Sequence, residues 1–309
     1  MFFKNAYVFT FTKVFSHSLA ELTESLQENA FTPLGSTELR HYGWVNSLGK
    51  GSGLAVEANG NILICARKEE KILPAFVMKD MVNERVEALE SDQGRGATKK
   101  EREQFKEDVI FELLPRAFNR VTDTHGYINS DKNIIVINSS SRGNAEDFLA
   151  LLRKSLGTLP VTTPLSERDP SEVMTDWIND NSSVGTFGLG VDFKVGSEAH
   201  FSSVGDQAAS AIVKNEDLFG DEVKAHLDAD QYVTKIALEY DDCMSFMLND
   251  DLSIKRIKFF DVIQEQSDDI EDADEKLMSD FTVMSGELNR MINGLHLEFN
   301  FSAKDSLED

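Results

Sequence analysis

The chain predicts an α+β fold built from more than one unit. Three observations carry that reading. Apolar strands and amphipathic helices alternate through the first half, a two-helix insertion stands between Pro74 and Pro115, and a group of strands from Tyr232 to Phe260 runs into one long helix. At 309 residues with 41% hydrophobic side chains, the chain is too long for one small domain and rich enough to bury a sizeable core.

The elements follow in order. Tyr7 to Phe11 reads as a strand, because the apolar start breaks at Lys4 and Asn5 and again at Thr10 and Thr12. A signal peptide needs a basic start and then ~7–15 unbroken apolar residues. Leu19 to Ser25 has the spacing of an amphipathic helix, and Asn61 to Ala66 is an apolar strand. Asn133 to Asn138 is another strand, entered by a turn at Asn129-Ser130-Asp131-Lys132 after Tyr127-Ile128. Ala145 to Leu156 is a helix stopped by Gly157, with Pro160 behind it. Within the insertion, Met78, Val82, Val86 and Leu89 form one apolar stripe, and a polar break runs from Ser91 to Ala97. Thr98 with Glu101 three residues later is a capping box that opens a second helix. At ~100° per residue Lys99, Arg102 and Lys106 share a narrow arc, and farther along nearly the same face turns apolar at Val109 and Leu113. The reading is a helical hairpin with a docked base and a basic tip in solvent. Later, Tyr232 to Tyr240, Met244 to Leu248 and Ile254 to Phe260 are strands, with Asn249-Asp250-Asp251 as the turn between the last two. An acidic stretch, 268–275, leads into a helix from Lys276 to Leu297. The expected organisation is an N-terminal α+β body (1–75 with 113–160), a helical finger (76–112) and an acidic C-terminal α+β domain (161–309).

Charge is the least even property. The whole chain carries 31 Lys and Arg against 54 Asp and Glu, a net of −23, which taken alone argues against a polyanionic partner. Residues 1–160 hold 20 against 21, net −1, while residues 161–309 hold 11 against 33, net −22. Such asymmetry points to a directional electrostatic role.

Enzyme signatures mostly fail. Gly49-Lys50-Gly51-Ser52-Gly53 lacks Walker A spacing and reads as a turn, and Gly185, Gly188 and Gly190 have the wrong order for a dinucleotide loop. The six histidines are scattered without HExxH, and Asp123 with His125 is a lone pair. The acidic stretch lacks the glycine and ligand spacing of an EF-hand. Cys65 and Cys243, far apart and outside any CxxC, read as buried thiols of a reducing cytoplasm. No catalytic residue, metal or cofactor is expected, and no run approaches the ~18 apolar residues of a membrane span. A metal-dependent nuclease using Asp241, Asp242, Asp250 and Asp251 is the remaining catalytic alternative. What stands out is cationic: Arg67, Lys68 and Lys71 after the Asn61 strand, Arg95, Lys99, Lys100, Arg102 and Lys106 on the finger, and Arg116 and Arg120 flanking Phe118. These form either a phosphate-tracking surface or a set of solvated faces with i,i+4 ion pairs. Few aromatics interleave with them, so any contact is to the nucleic-acid backbone.

Two strings are specific: Ile64-Cys65-Ala66-Arg67-Lys68-Glu69-Glu70-Lys71-Ile72-Leu73-Pro74 and Leu113-Leu114-Pro115-Arg116-Ala117-Phe118-Asn119-Arg120. With Ala30-Phe31-Thr32-Pro33, Gly43-Trp44-Val45, Leu149 to Gly157, Val233-Thr234-Lys235, Lys255 to Phe259 and Met284 to Leu288, they resemble the bacterial recombination-associated RdgC family over essentially the whole chain. The resemblance implies a ring-shaped homodimer of two horseshoe-shaped subunits with a basic central hole. It also implies binding of double- and single-stranded DNA without sequence preference, restraint of RecA-promoted recombination by occupying DNA, and a place at the nucleoid. It puts Phe118 at one subunit contact as an apolar plug, and Lys214, Asn215 and Glu216 near the other. Asn215 and Glu216 depart there from the more basic or amide residues of other members. The rival from another class is an acidic DNA mimic that captures a basic protein.

Overall fold

The computed structural model describes residues 1–49, 51–179, 190–203 and 209–299. Lys50, Gly185 and Gly188 lie outside them. The described strands are β1 (Tyr7–Phe11), β2 (Arg40–Val45), β3 (Ala55–Ala58), β4 (Asn61–Lys71), β5 (Asn119–Asn129), β6 (Ile134–Ile137), β7 (Val161–Thr162), β8 (Phe193–Ser202), β9 (Ser210–Lys214), β10 (Tyr232–Tyr240), β11 (Met244–Asn249) and β12 (Ile254–Phe259). The helices are α1 (Leu19–Gln27), α2 (Ala75–Gln93), α3 (Lys99–Leu113), α4 (Arg142–Leu156), α5 (Pro170–Asn179), α6 (Asp221–Asp228), α7 (Asp261–Gln264) and α8 (Ala273–Glu298). The α+β class is as predicted, with two antiparallel sheets.

The first sheet has the order β2-β4-β5-β6-β1-β7, with β3 on the front half of β4. Its two faces are both covered, which is why Ile134-Ile135-Val136-Ile137 is apolar at every position rather than at alternate ones. On one face Phe9, Ile64, Ile128 and Ile135 pack under α1 and α4 with Leu22, Leu26, Phe148 and Leu152. There the Trp44 indole donates to Ser155 Oγ at 2.9 Å and meets the Phe148 ring edge-on. On the other face Leu63, Tyr127 and Val136 belong to a larger core with Phe281, Met284 and Leu288 of α8.

The second sheet, β12-β11-β10-β8-β9, packs its inner face (Val233, Ile236, Leu238, Phe246, Ile257) into that same core. Helix α8 therefore lies between the sheets. A Cβ on Gly294 would stand 2.8 Å from the Phe193 ring, so only glycine lets β8 approach the helix here. The N-terminal segment ties the units directly, since Ala6 and Ile254 exchange backbone hydrogen bonds of 2.8 and 2.9 Å.

The layer between α8 and the first sheet holds a buried polar cluster. Tyr127 Oη donates to Asn289 Oδ1 at 3.0 Å, Asn289 Nδ2 and Asn129 Nδ2 donate to Asn61 Oδ1 at 2.9 and 2.8 Å, and Asn61 Nδ2 reaches Ser285 Oγ at 3.2 Å. Because each group is satisfied only in one register, the cluster fixes how α8 docks. Asn289→Ala strands the Tyr127 hydroxyl and part of the Asn61 amide, and a buried group without a partner costs about 1–3 kcal/mol. Urea unfolding is expected to show a loss of about 2–4 kcal/mol; a loss within error of zero would mean the cluster does not hold the helix.

The sequence reading stopped the Asn61 strand at Ala66, but β4 runs on to Lys71. Cross-strand partners make the charged extension stable: Arg67 faces Asp123 and Glu70 faces Arg120 on β5. The two helices between Pro74 and Pro115 form as read from the sequence. The Thr98 and Glu101 capping box is formed, Gly94 ends α2 at φ 63°, and Val86 and Val109 are buried between the two helices. Arg85 of α2 locks the pair, reaching Glu112 at 2.7 Å and Asp108 at 3.6 Å on α3.

Candidate nucleic-acid interface

Because β4 is a strand, its cations do not gather. Residues 67 and 71 point to one face and residue 68 to the other, as a period of two requires. Arg67 is bidentate to Asp123 at 2.7 and 2.6 Å and lies over the Phe31 ring, its charge centre 5.8 Å from the centroid. The guanidinium hydrogen bond holds the Asp123 carboxyl below its usual range. Lys68 turns toward α4 and pairs with Asp147 at 3.3 Å, and the Lys71 ammonium donates to the Ala117 carbonyl at 3.4 Å. Arg120, on β5, is paired with Glu70. Arg95, at the finger tip, is bidentate to Glu101 at 2.9 and 2.7 Å. That pair comes first among the causes that hold the Glu101 carboxyl well below its ordinary value, ahead of the hydrogen bonds from Thr98.

The other cations are unpaired. Lys99, Lys100, Arg102 and Lys106 are all exposed on α3 and have no ion-pair partner among the described residues, and the same holds for Arg116 beyond its end. Sequence reasoning placed all of these residues in one candidate set; the geometry separates Lys99, Lys100, Arg102, Lys106 and Arg116, which are free, from Arg67, Lys68, Arg95 and Arg120, which are matched by carboxylates, with Lys71 held by a backbone carbonyl. The signal that could have separated them is charge alternation in register along paired strands, which needs the β4–β5 pairing to be known. Helix α3 has 15 residues and is roughly 22 Å long at ~1.5 Å each, and its free cations, Lys99 to Lys106, lie along the first ~10 Å.

Around the base of the finger a second feature appears. Phe118 is 83% exposed, and its carbonyl accepts from the Ile72 N–H at 2.8 Å. Ile72, Phe76, Phe111 and Val121 are also exposed, at the ends of β4, α2, α3 and β5 that meet there. Several large apolar side chains in water at one locus mark a contact surface. The second predicted contact segment is polar. Lys214 lies 3.5 Å from Glu198, Asn215 adopts φ 58°, and the Glu216 carboxyl is raised by its hydrogen bond with Glu222 and by that neighbour's charge.

Groups of catalytic type are held apart or silenced. Asp241 and Asp242 sit at the β10–β11 turn and Asp250 and Asp251 at the β11–β12 turn, at opposite ends of a six-residue strand, so roughly 20 Å separates them. Asp241 is engaged by Arg290 and Asp242 by Lys194. Along the acidic stretch Asp268 pairs with Lys276, and Asp272 caps α8. Among the described residues no three His, Cys, Asp or Glu side chains are gathered to hold a metal ion. Cys65 stands opposite His125 in the β4–β5 register, in a groove of about 890 Å³ that also reaches Arg67 and Asp123. Burial pushes the thiol up to about 12 and the imidazole down, so neither the thiolate nor the imidazolium of a catalytic pair is present at neutral pH. Cys243 is likewise raised to about 12, by burial first and then by Glu287. Both thiols are expected to resist iodoacetamide at pH 8 in the folded protein and to react once it unfolds. Rapid native labelling would contradict that assignment. Beside Lys50, which lies outside the described residues, Ser52 Oγ accepts from the Leu48 N–H at 3.0 Å.

Fold and site together define an antiparallel α+β protein with a two-helix finger that carries a stripe of unpaired cations and, among the described residues, no long apolar helix able to cross a membrane. A family described as "Putative exonuclease, RdgC" matches residues 1–301. Proteins named recombination-associated protein RdgC are similar over nearly full length. That of Colwellia psychrerythraea is 59% identical over 311 residues, covering 100% of this chain and 99% of its own. Those of Aeromonas hydrophila and Tolumonas auensis are 44% identical (96% of each chain covered) and 43% identical (94% of this chain, 96% of the relative). The chain belongs to the RdgC family, among recombination-associated proteins.

Proposed function

We propose that this protein binds DNA without sequence preference and without cutting it, closing as a ring-shaped homodimer around the duplex. It also takes single strands, and it restrains RecA-promoted recombination by occupying DNA at the nucleoid of a reducing cytoplasm. The observation that carries the reading is the finger: Lys99, Lys100, Arg102 and Lys106 are exposed on one projecting helix with no carboxylate engaged, while Arg67, Lys68, Arg95 and Arg120 are already matched by their own anions. Free cations release counterions from phosphates on binding; matched ones have little left to give. With few aromatics interleaved among them, the contacts are to the backbone and carry no base readout. The exposed Phe118 locus supplies the apolar subunit contact, and the acidity of residues 161–309 repels DNA from other faces, which favours threading over coating.

A mobility-shift titration on unrelated duplexes at several salt concentrations tests the proposal. Equal affinity for all sequences, falling steeply with salt, is expected, with single strands bound as well. No shift at micromolar protein would favour the acidic mimic. End-labelled linear duplex incubated with protein and magnesium decides the exonuclease in the family description; it is expected to stay intact, and released nucleotides would overturn the non-catalytic reading.

A further inference from the structure

Although residues 161–309 are the acidic part of the chain, the second sheet turns a cationic face to solvent. Directly opposed residues of paired strands share a face. Lys235 opposes His200 and Asn249, Ser245 opposes both Glu239 and Lys258, Glu239 opposes Lys194, and Glu198 opposes Lys214. Lys194, Lys214, Lys235 and Lys258 therefore stand together on the face opposite the buried Val233, Ile236, Leu238 and Phe259. Arg256, bulged from β12 at φ 52°, reaches the same face and pairs with Glu198 at 3.0 Å. Only Glu198 and Glu239 answer these five cations from the strands themselves, and Asp242 pairs with Lys194 from the neighbouring turn. Lys235 and Lys258 are exposed and have no ion pair among the described residues, although the Lys235 charge acts on Asp250 at the β11–β12 turn. The acidic excess lies instead on helices and turns, at Asp221, Glu222, Asp261, Asp272, Asp274 and Glu275.

Glu198 is the organising group. It is 17% exposed and takes Arg256 at 3.0 Å, His200 at 3.0 Å and Lys214 at 3.5 Å. Burial raises its carboxyl, but the hydrogen bonds from His200 and Arg256 and the charges of Arg256 and Lys214 outweigh burial and hold it ionised. One anion is shared by several cations, the arrangement a phosphate oxygen would meet. The face is open rather than pocketed, and five strands at ~4.8 Å spacing make it roughly 19 Å wide. Such a surface suits an extended, regularly charged partner, and duplex DNA presents one phosphate per ~1.7 Å of axis.

We propose that this outer face is a second phosphodiester-binding surface for duplex DNA. Lys235, Lys258, Arg256 and Lys214 are its contacts, and Glu198 is a positioning residue that holds the last two until a phosphate displaces it. The proposal rests on the DNA-binding reading above but not on the finger.

The test compares Lys235→Ala/Lys258→Ala and Glu198→Gln with the wild type in duplex binding across a salt series, circular dichroism confirming the fold of each. The double variant is expected to bind roughly tenfold more weakly, and its log K against log salt slope to become shallower by ~1.8, at ~0.9 for each lost phosphate contact. Glu198→Gln is expected to bind several-fold more tightly, since a neutral amide no longer competes with phosphate. If the double variant keeps the wild-type affinity and slope while the wild type binds DNA, this surface is overturned and the DNA-binding reading stands. A folded Glu198→Gln protein that binds more weakly would overturn the displacement role. A wild type that binds no duplex at all overturns both.

Discussion

Replacing Lys99, Lys100, Arg102 and Lys106 together by Ala is expected to weaken duplex binding about a hundredfold or more at moderate salt, equally for every sequence. Each neutralised phosphate contributes ~0.9 to the salt slope, so losing four contacts flattens it by roughly 3.6. The helix should survive the change, because Ala is the best helix former and these side chains pack on nothing buried. The Thr98 and Glu101 cap and the Arg85 pairs stay in place, so the finger keeps its shape while losing its charge. Replacing Arg67 and Arg120 instead should change affinity little, because Asp123 and Glu70 already match them. Fluorescence anisotropy on two unrelated duplexes reads both results. Unchanged binding by the fourfold variant would remove the finger from the mechanism.

Phe118→Ser is expected to open one subunit contact and abolish salt-resistant retention on circular DNA. Burying a Phe side chain is worth about 1.5–3 kcal/mol. In a twofold contact the substitution acts on both subunits, so roughly 3–6 kcal/mol is lost, or two to four orders of magnitude in dissociation constant. Phe118 is 83% exposed in the single chain, so the variant should fold and melt like the wild type. Sedimentation measures the dimer, and retention on nicked circular against linear plasmid after a salt wash measures topological closure. An intact dimer with normal retention would count against both the contact and the ring.

Much of the local structure was legible in the residues. The finger was read from a 4, 4, 3 apolar spacing, a polar break with glycines and a capping box, all of which are local signals. The acidic lead into α8 and the hairpin turn at Asn249 were legible for the same reason. The end of β4 was not, because Arg67 to Lys71 has no apolar alternation and is held as strand by partners distant in sequence, β2 on one side and β5 on the other. The buried cluster around Asn289 was equally invisible, since an asparagine in a helix carries no mark of what faces it. On the candidate site, the free stripe on α3 was readable from one helix's period, but the outer face of the second sheet was not. Its cations come from four strands spread over residues 194–258, in a half whose average charge points the other way.

The sequence by itself determined the elements whose cause is local: the α+β class, the two-helix finger with its cap, the charge division of −1 and −22, and a family resemblance written in continuous strings. The tertiary structure decided which charges are available. An ion pair needs two charged side chains brought within about 4 Å of each other, and composition counts Arg67 and Lys99 alike. Folding sets Arg67 against Asp123, Arg120 against Glu70 and Arg95 against Glu101, and leaves Lys99, Lys100, Arg102 and Lys106 in water. It also gathers Lys194, Lys214, Lys235, Arg256 and Lys258 onto one face, because strands distant in sequence share a side of a sheet only once their register is set.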